Sequence, residues 1–276
     1  MPEDNNVPTI DEQLIRTTTR IVAIGKDGIS TGTGFFYQFV IDNKNVPVIV
    51  TNKHVLEGSS VIELNLSCFE DESKTIKRSF PIVDQLIINH PDPQVDLCLI
   101  KIAPLLNSLG NTQLRIVFLC EENIITNSYI EDNVSNIEDI TIVGYPDGII
   151  DEFNNLPIVR KGITATSIKY DFNSKKEFLI DSAIYGGSSG SPVFIFNQGS
   201  YSIKNTLCAG DRLFLIGIVY AVAQHRADGS LKIRQAPTNS MLYPETYIPN
   251  NLGVVIKAIR LLDFNQIIKQ ILDSKK

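Results

Sequence analysis

GGSSGSPVF, at residues 186–194, sets three glycines and three serines between the apolar runs EFLIDSAIYG and SPVFIF. Runs of that kind on either side of small residues read as two strands joined by a turn. Such a turn can hold one serine hydroxyl proud of the backbone. Glycines suit it, because two backbone N–H groups must converge on a single oxygen and side chains would block the approach. Composition alone leaves Ser188, Ser189 and Ser191 open as the hydroxyl that matters.

Outward from this turn the same texture recurs. Runs rich in Val, Ile, Phe and Tyr alternate with Gly, Pro, Asn and Asp clusters: RIVAIG (20–25), TGFFYQFVI, VPVIVTNKHV, SVIELNL, VDLCLIKI, LRIVFLC, EDITIVGYP and LFLIGIVYAVA. Roughly a dozen short strands in one chain predict an all-β sandwich or barrels. Only two stretches read as helical, a turn at 10–17 and a helix over 259–272 whose apolar residues recur at spacings of three and four. The segments 197–205 and 226–251 read as exposed loops, and the second is long enough for a regulatory partner to act there.

Acyl transfer from an amide needs a nucleophile, a base, an anion to orient that base and donors for the developing oxyanion. A base candidate is His54, delivered by the run VPVIV to the point where VTNKHV turns away. An anion candidate is Asp96, heading the apolar run in HPDPQVDLCLIKI (90–102). A carboxylate there is costly to desolvate unless paired, and a histidine Nδ1–H is a natural partner.

GSSGSP at 187–192 resembles the G-x-S-G-x-P motif of trypsin-like (chymotrypsin-fold) serine peptidases, VTNKHV their T-A-x-H segment, and VDLCLIKI their Asp-headed strand. The resemblance implies Ser189 as nucleophile, His54 as base and Asp96 as orienting anion, with the N–H groups of Gly187 and Ser189 as the oxyanion hole. The order His, Asp, Ser is that of the chymotrypsin group and differs from α/β-hydrolases and subtilisins. Weaker matches are STGTGFFY (30–37), VGYP (143–146), GIVYA (217–221) and NLGVVIK (251–257).

The implied architecture is all-β: two six-stranded antiparallel chymotrypsin-like barrels and a C-terminal α-helix. An arm at 1–17 precedes barrels at 18–118 and 119–258, and the helix occupies 259–276, with no PDZ-like extension. The implied substrate pocket contains Ala183, Val219, Tyr220 and Ala221. Ala183 favours a small or aliphatic P1 side chain and Tyr220 narrows the slot, whereas Asp181 pointing inward would select Lys or Arg. Ser188 replaces the Asp by which many secreted members bind a newly cleaved N-terminus, so that mode of activation is not expected.

The expected activity is that of a serine endopeptidase working through an acyl-enzyme on peptide or protein substrates, without cofactor. The rivals are a silent peptide-binding module on the same fold and a serine esterase. The net charge of −6 and singly scattered basic residues argue against nucleic acid. The longest apolar stretch, 213–223, is too short for a membrane helix. Three histidines without paired cysteines or H-E-x-x-H spacing argue against a metal. His90 and His225 read as structural, and Asp92 in HPDP as a turn residue before it reads as an alternative orienting acid. Four scattered cysteines and an acidic, amide-rich start predict reduced thiols and a cytoplasmic protein.

Overall fold

The computed structural model describes residues 8–26, 28–68, 75–83, 85–110, 112–204, 206–227 and 246–274, with backbone alone at 221–227 and 246–250. A single helical turn, α1 (Ile10–Leu14), precedes the first strands, β1 (Thr18–Gly25), β2 (Gly28–Ile41) and β3 (Lys44–Thr51). Between β2 and β3 lie Asp42 and Asn43, at φ 48° and 59°. Two residues at positive φ make the kind of tight turn whose twist matches that of the flanking strands. After the short helix α2 (Lys53–Leu56) come β4 (Ser59–Ser67), β5 (Thr75–Pro81), β6 (Ile87–Asn89) and β7 (Cys98–Lys101).

These strands form one antiparallel sheet in the order β5-β4-β1-β2-β3-β7-β6. The sequence predicts a closed six-stranded barrel here, and the observed ladder has seven strands and two ends. Its ends are drawn together by the chain between them: Ile82 N donates to Ser60 O and Lys101 N donates to Leu86 O, each at 2.8–2.9 Å. No ladder pairs β5 with β6 among the described residues, yet Leu64, Phe80, Ile87 and Ile100 share one core. LRIVFLC is also not a ladder strand. It runs extended along the first sheet through single bridges, Leu114 to Cys68 and Leu119 to Tyr37.

Two further short helices follow, α3 (Ala103–Ser108) and α4 (Asn127–Asn133), and then β8 (Asp139–Gly144), β9 (Ile158–Thr164), β10 (Glu177–Asp181) and β11 (Pro192–Asn197). A hairpin, β12 (Ser200–Ile203) and β13 (Thr206–Ala209), occupies much of the loop expected at 197–205. The long β14 (Arg212–Ala227) and β15 (Thr246–Lys257) complete a closed barrel in the order β10-β15-β14-β11-β8-β9. Pairing continues out to Ala227 opposite Thr246, so both ends of the segment expected as a loop at 226–251 are strand. The centre of that loop, 228–245, lies outside the described residues. The expected C-terminal helix begins as a 3-10 turn, Ala258–Asp263, and continues as α5 (Phe264–Asp273).

Apolar side chains gather in three clusters. One fills the first sheet around Ile21, Ile49, Ile62 and Ile100, and one fills the closed barrel around Ile142, Phe178, Val193 and Ile216. The third lies between them, where Phe35, Val50, Leu97 and Leu99 meet Phe194, Leu215, Ile218, Leu261 and Phe264. Each fully buried Leu, Ile or Phe contributes about 1.5–3 kcal/mol. The halves are therefore joined by a core of their own, and the 3-10 turn and α5 belong to it.

Candidate active site

β3 ends in Val48, Ile49, Val50 and Thr51, all fully buried, so the chain leaves the first core from a fixed point. Three residues later, in α2, stands His54. Asp96 arrives just before β7, anchored by the buried Leu97 and Cys98. His54 Nδ1 lies 2.5 Å from Asp96 Oδ2, and the His54 backbone N–H donates to Asp96 Oδ1 at 3.2 Å. Asn52 Nδ2 donates to the Asp96 carbonyl at 2.6 Å, which fixes the backbone as well as the carboxylate.

Burial pushes the Asp96 carboxyl up, but the hydrogen bond and charge of His54 and the N–H groups of His54 and Lys53 outweigh it, leaving Asp96 below the ordinary carboxylate value. The ionised carboxylate accepts from Nδ1–H. In a neutral imidazole this leaves Nε2 as the acceptor. Among the described residues Nε2 makes no hydrogen bond, and the side chain is 42% exposed.

The serine turn is held by two strands. Gly190 N donates to Val219 O and Val219 N to Ser191 O, which tie it to β14, while Thr33 N of β2 donates to Ser189 O at 2.8 Å. Thr51 Oγ1 donates to Thr33 O at 2.8 Å, so the base-bearing strand and the serine turn meet on one residue. Gly187 and Gly190 have φ of +79° and +86°. A Cβ on Gly190 would stand 2.0 Å from Thr33 O, so both conformation and space require glycine.

Of the three candidate serines, Ser188 is buried and its Oγ accepts from Tyr185 N, and Ser191 is buried with an unpartnered Oγ packed against Gly144. Ser189 alone is partly exposed. Its Oγ makes no hydrogen bond among the described residues, to His54 or to any other group. The N–H groups of Gly187 and Ser189 likewise donate to nothing there.

Ala183 is half-buried, and its carbonyl accepts from Arg160 Nη1 at 2.9 Å. Val219 is packed inside the barrel core. Tyr220 is half-buried against the inter-half core, and burial together with the charges of Glu177 and Asp96 pushes its hydroxyl up to about 12. Of Ala221 only the backbone is described, opposite Val254. Asp181 is exposed at the end of β10.

A cavity of ≈ 550 Å³ opens beside His54 and Asp96, lined also by Lys53, Glu57, Ile82, Val83 and Asn89. Asp92 is partly buried and bound to Arg260 at 2.7 Å. His90 is buried against Phe264, and the side chain of His225 lies outside the described residues. No disulfide joins the four cysteines. Among the described residues no cluster of His, Cys, Asp and Glu is placed to hold a metal ion, and no helix is long and apolar enough to cross a membrane.

Sequence reasoning passes over Thr33, Asn52 and the 3-10 turn Pro146–Gly148 that carries Asp147. Thr33 lies in the Gly-rich strand STGTGFFY, which is the one signal pointing to it.

A family model for the trypsin-like peptidase domain matches residues 32–200. A search of curated proteins finds no match. Among solved structures, the HtrA-type protease AlgW with a tripeptide superposes with a TM-score of 0.51 at 16% identity, over 95% of this chain and 64% of that one. A variant of the same protease gives 0.50 at 15% identity, over 93% and 61%. The serine endoprotease from Yersinia pestis gives 0.46 at 16% identity, over 98% and 69%. The chain thus spans less than two thirds of the length of the AlgW chains.

Proposed function

The chain belongs to the trypsin-like peptidase domain family, and from that premise we propose that it is a serine-type endopeptidase acting through His54, Asp96 and Ser189. The observation that carries the proposal is the His54–Asp96 pair, which leaves Nε2 open to act as a base, and the reading gives it the one partly exposed serine of the turn as its partner. The first sheet, curled on its own core, stands for the first barrel of a chymotrypsin-like pair.

In the proposed reaction His54 Nε2 takes the Ser189 proton as Oγ attacks the scissile carbonyl. Asp96 keeps the ring in the right tautomer and stabilises the imidazolium. The Gly187 and Ser189 N–H groups bind the oxyanion. His54 then protonates the leaving amine, the acyl group stays on Ser189 Oγ, and water repeats the cycle to release it as the acid. Among the described residues Ser189 Oγ makes no hydrogen bond to His54, and the reading takes that bond to form with substrate, as catalytic hydrogen bonds often tighten only then. The reading takes a peptide or protein chain as substrate, needs no cofactor, and places the protein in the cytoplasm with its thiols reduced.

Labelling with a fluorophosphonate tests the proposal. Wild type should be labelled and should cleave peptides, and Ser189→Ala should do neither. An inert wild type that still binds peptides would instead make the chain a peptide-binding module, and turnover of esters without peptide cleavage would make it an esterase.

A further inference from the structure

An oxyanion site built on backbone donors depends on which way each peptide faces. If the peptide between Gly186 and Gly187 turned over, a carbonyl oxygen would replace the Gly187 N–H and repel the anion it should bind. Both carbonyls flanking that N–H are already engaged. Gly186 O accepts from Asp147 N–H at 2.5 Å, and Gly187 O accepts from Thr33 Oγ1 at 2.9 Å.

Neither partner is incidental. Thr33 is fully buried and uses every polar atom it has: its N–H donates to Ser189 O, its carbonyl accepts from Thr51 Oγ1, and its hydroxyl accepts from Tyr145 N at 3.0 Å. With a lone pair taken by Tyr145, the hydroxyl proton is directed at Gly187. Asp147 sits at φ 52°, in a left-handed conformation that costs a non-glycine residue about 1–2 kcal/mol and persists only where neighbours enforce it. Gly148 N donates to Tyr145 O, and Arg20 Nη1 donates to Gly148 O at 3.0 Å, which close and brace the turn. The turn lies so close that a Cβ on Gly187 would meet Tyr145 O at 2.5 Å.

We infer that Thr33 and the Asp147 turn are positioning groups that lock the peptides on either side of Gly187, so that the oxyanion site is assembled before substrate arrives and needs no proteolytic activation. The inference rests on the role given to Gly187 under the proposed function. Ser188 agrees with it, because its hydroxyl is satisfied within the turn by Tyr185 N and is not held in reserve for a new N-terminus.

The test compares Thr33→Val, Thr33→Ala and Thr33→Ser with wild type, each checked for folding by thermal melting. Valine keeps the shape and the backbone bonds and removes only the hydroxyl. Thr33→Val should lose about 10- to 100-fold in kcat with KM nearly unchanged, less than the about 10²–10³ that loss of a whole oxyanion donor costs. It should weaken a peptide boronic acid, whose adduct places an oxygen in the site, by a similar factor. Thr33→Ser should restore both. If Thr33→Val does not fold, Thr33→Ala against Thr33→Ser reads the same hydroxyl. A wild type that takes fluorophosphonate while hydroxyl-free variants match its kcat and boronate affinity overturns this inference alone. A wild type that neither labels nor cleaves overturns the endopeptidase reading and this inference with it.

Discussion

Arg260 of the C-terminal 3-10 turn grips Asp92, 168 residues earlier in the chain, through Nη2 and Oδ2 at 2.7 Å. Beneath this pair lies His90, whose ring meets Phe264 edge-on, with Nε2 near Arg260 O and Asp263 Oδ2 and Nδ1 accepting from Asp92 N. Burial pulls the His90 ring below the ordinary histidine value, helped by the Arg260 charge and opposed by the hydrogen bonds and by Asp263. The folded chain therefore resists a proton that the unfolded chain accepts.

His90 consequently contributes stability that is complete above the ordinary histidine value of about 6.5 and is lost as pH falls from there towards the lower folded value. Melting temperature should drop between pH 7.5 and pH 5 in wild type, and drop less in His90→Gln. Parallel melting curves for the two proteins would show that protonation of this ring is not felt by the fold.

Asp96 is shifted in the same direction with the opposite charge. Its carboxylate is favoured only in the folded state, so it stabilises the fold above the ordinary carboxylate range and ceases to do so as pH falls through its lowered value. Asp96→Asn should keep the fold near neutral pH and cost about 10⁴-fold in kcat, because an amide facing Nδ1 favours the wrong tautomer. Steady-state kinetics on a peptide ester measures this, and a loss of less than tenfold would remove Asp96 from the machinery.

Glu138 and Arg212 form a salt bridge of 2.7 Å with side chains only 7% and 3% exposed. Asn197 Oδ1 takes the Arg212 Nε–H and the Tyr201 ring lies 4.8 Å from its guanidinium, so the charge is committed to this place. Removing Glu138 strands it, at a cost of about 3–5 kcal/mol. Urea unfolding of Glu138→Ala should show that loss, with labelling of Ser189 retained in the folded fraction.

Gly190→Ala places a methyl 2.0 Å from Thr33 O and 2.7 Å from Thr51 Oγ1, at a φ of +86°. The turn must shift by an ångström or so, and a misplacement of that size costs about 10²-fold in rate. Active-site labelling should slow by at least that factor while far-UV circular dichroism keeps its β spectrum.

We propose that specificity is set by a pocket at the small Ala183 and the bulky Tyr220, with Asp181 exposed at the end of β10 rather than serving as its acid. A peptide library should give small or aliphatic residues at P1. A profile dominated by Lys and Arg would contradict the assignment of this pocket.

His54 and Asp96 were legible as a pair because one follows a continuous apolar run and the other heads one, and such runs begin and end at places the core fixes. Thr33 was not, since threonine is an ordinary strand residue and its importance depends on how closely the second half approaches. TIKRSFP, which became β5 of the first sheet, and IVRKGIT, which became β9 of the closed barrel, were missed for a different reason: both carry charges on half-exposed faces and lack the apolar density of a core strand. LRIVFLC misled in the other direction. Its apolar residues pack beside two cores as a connection, and burial alone does not require a ladder.

Leu261, Phe264 and Ile268 share a core with Leu97 and Leu99, the residues that follow Asp96. A chain cut before Ala258 would lack both that backing and the clasp of Arg260 on Asp92. The proposed orienting carboxylate is thus steadied from the far end of the fold, and loosening the 3-10 turn there is expected to loosen the site at a distance.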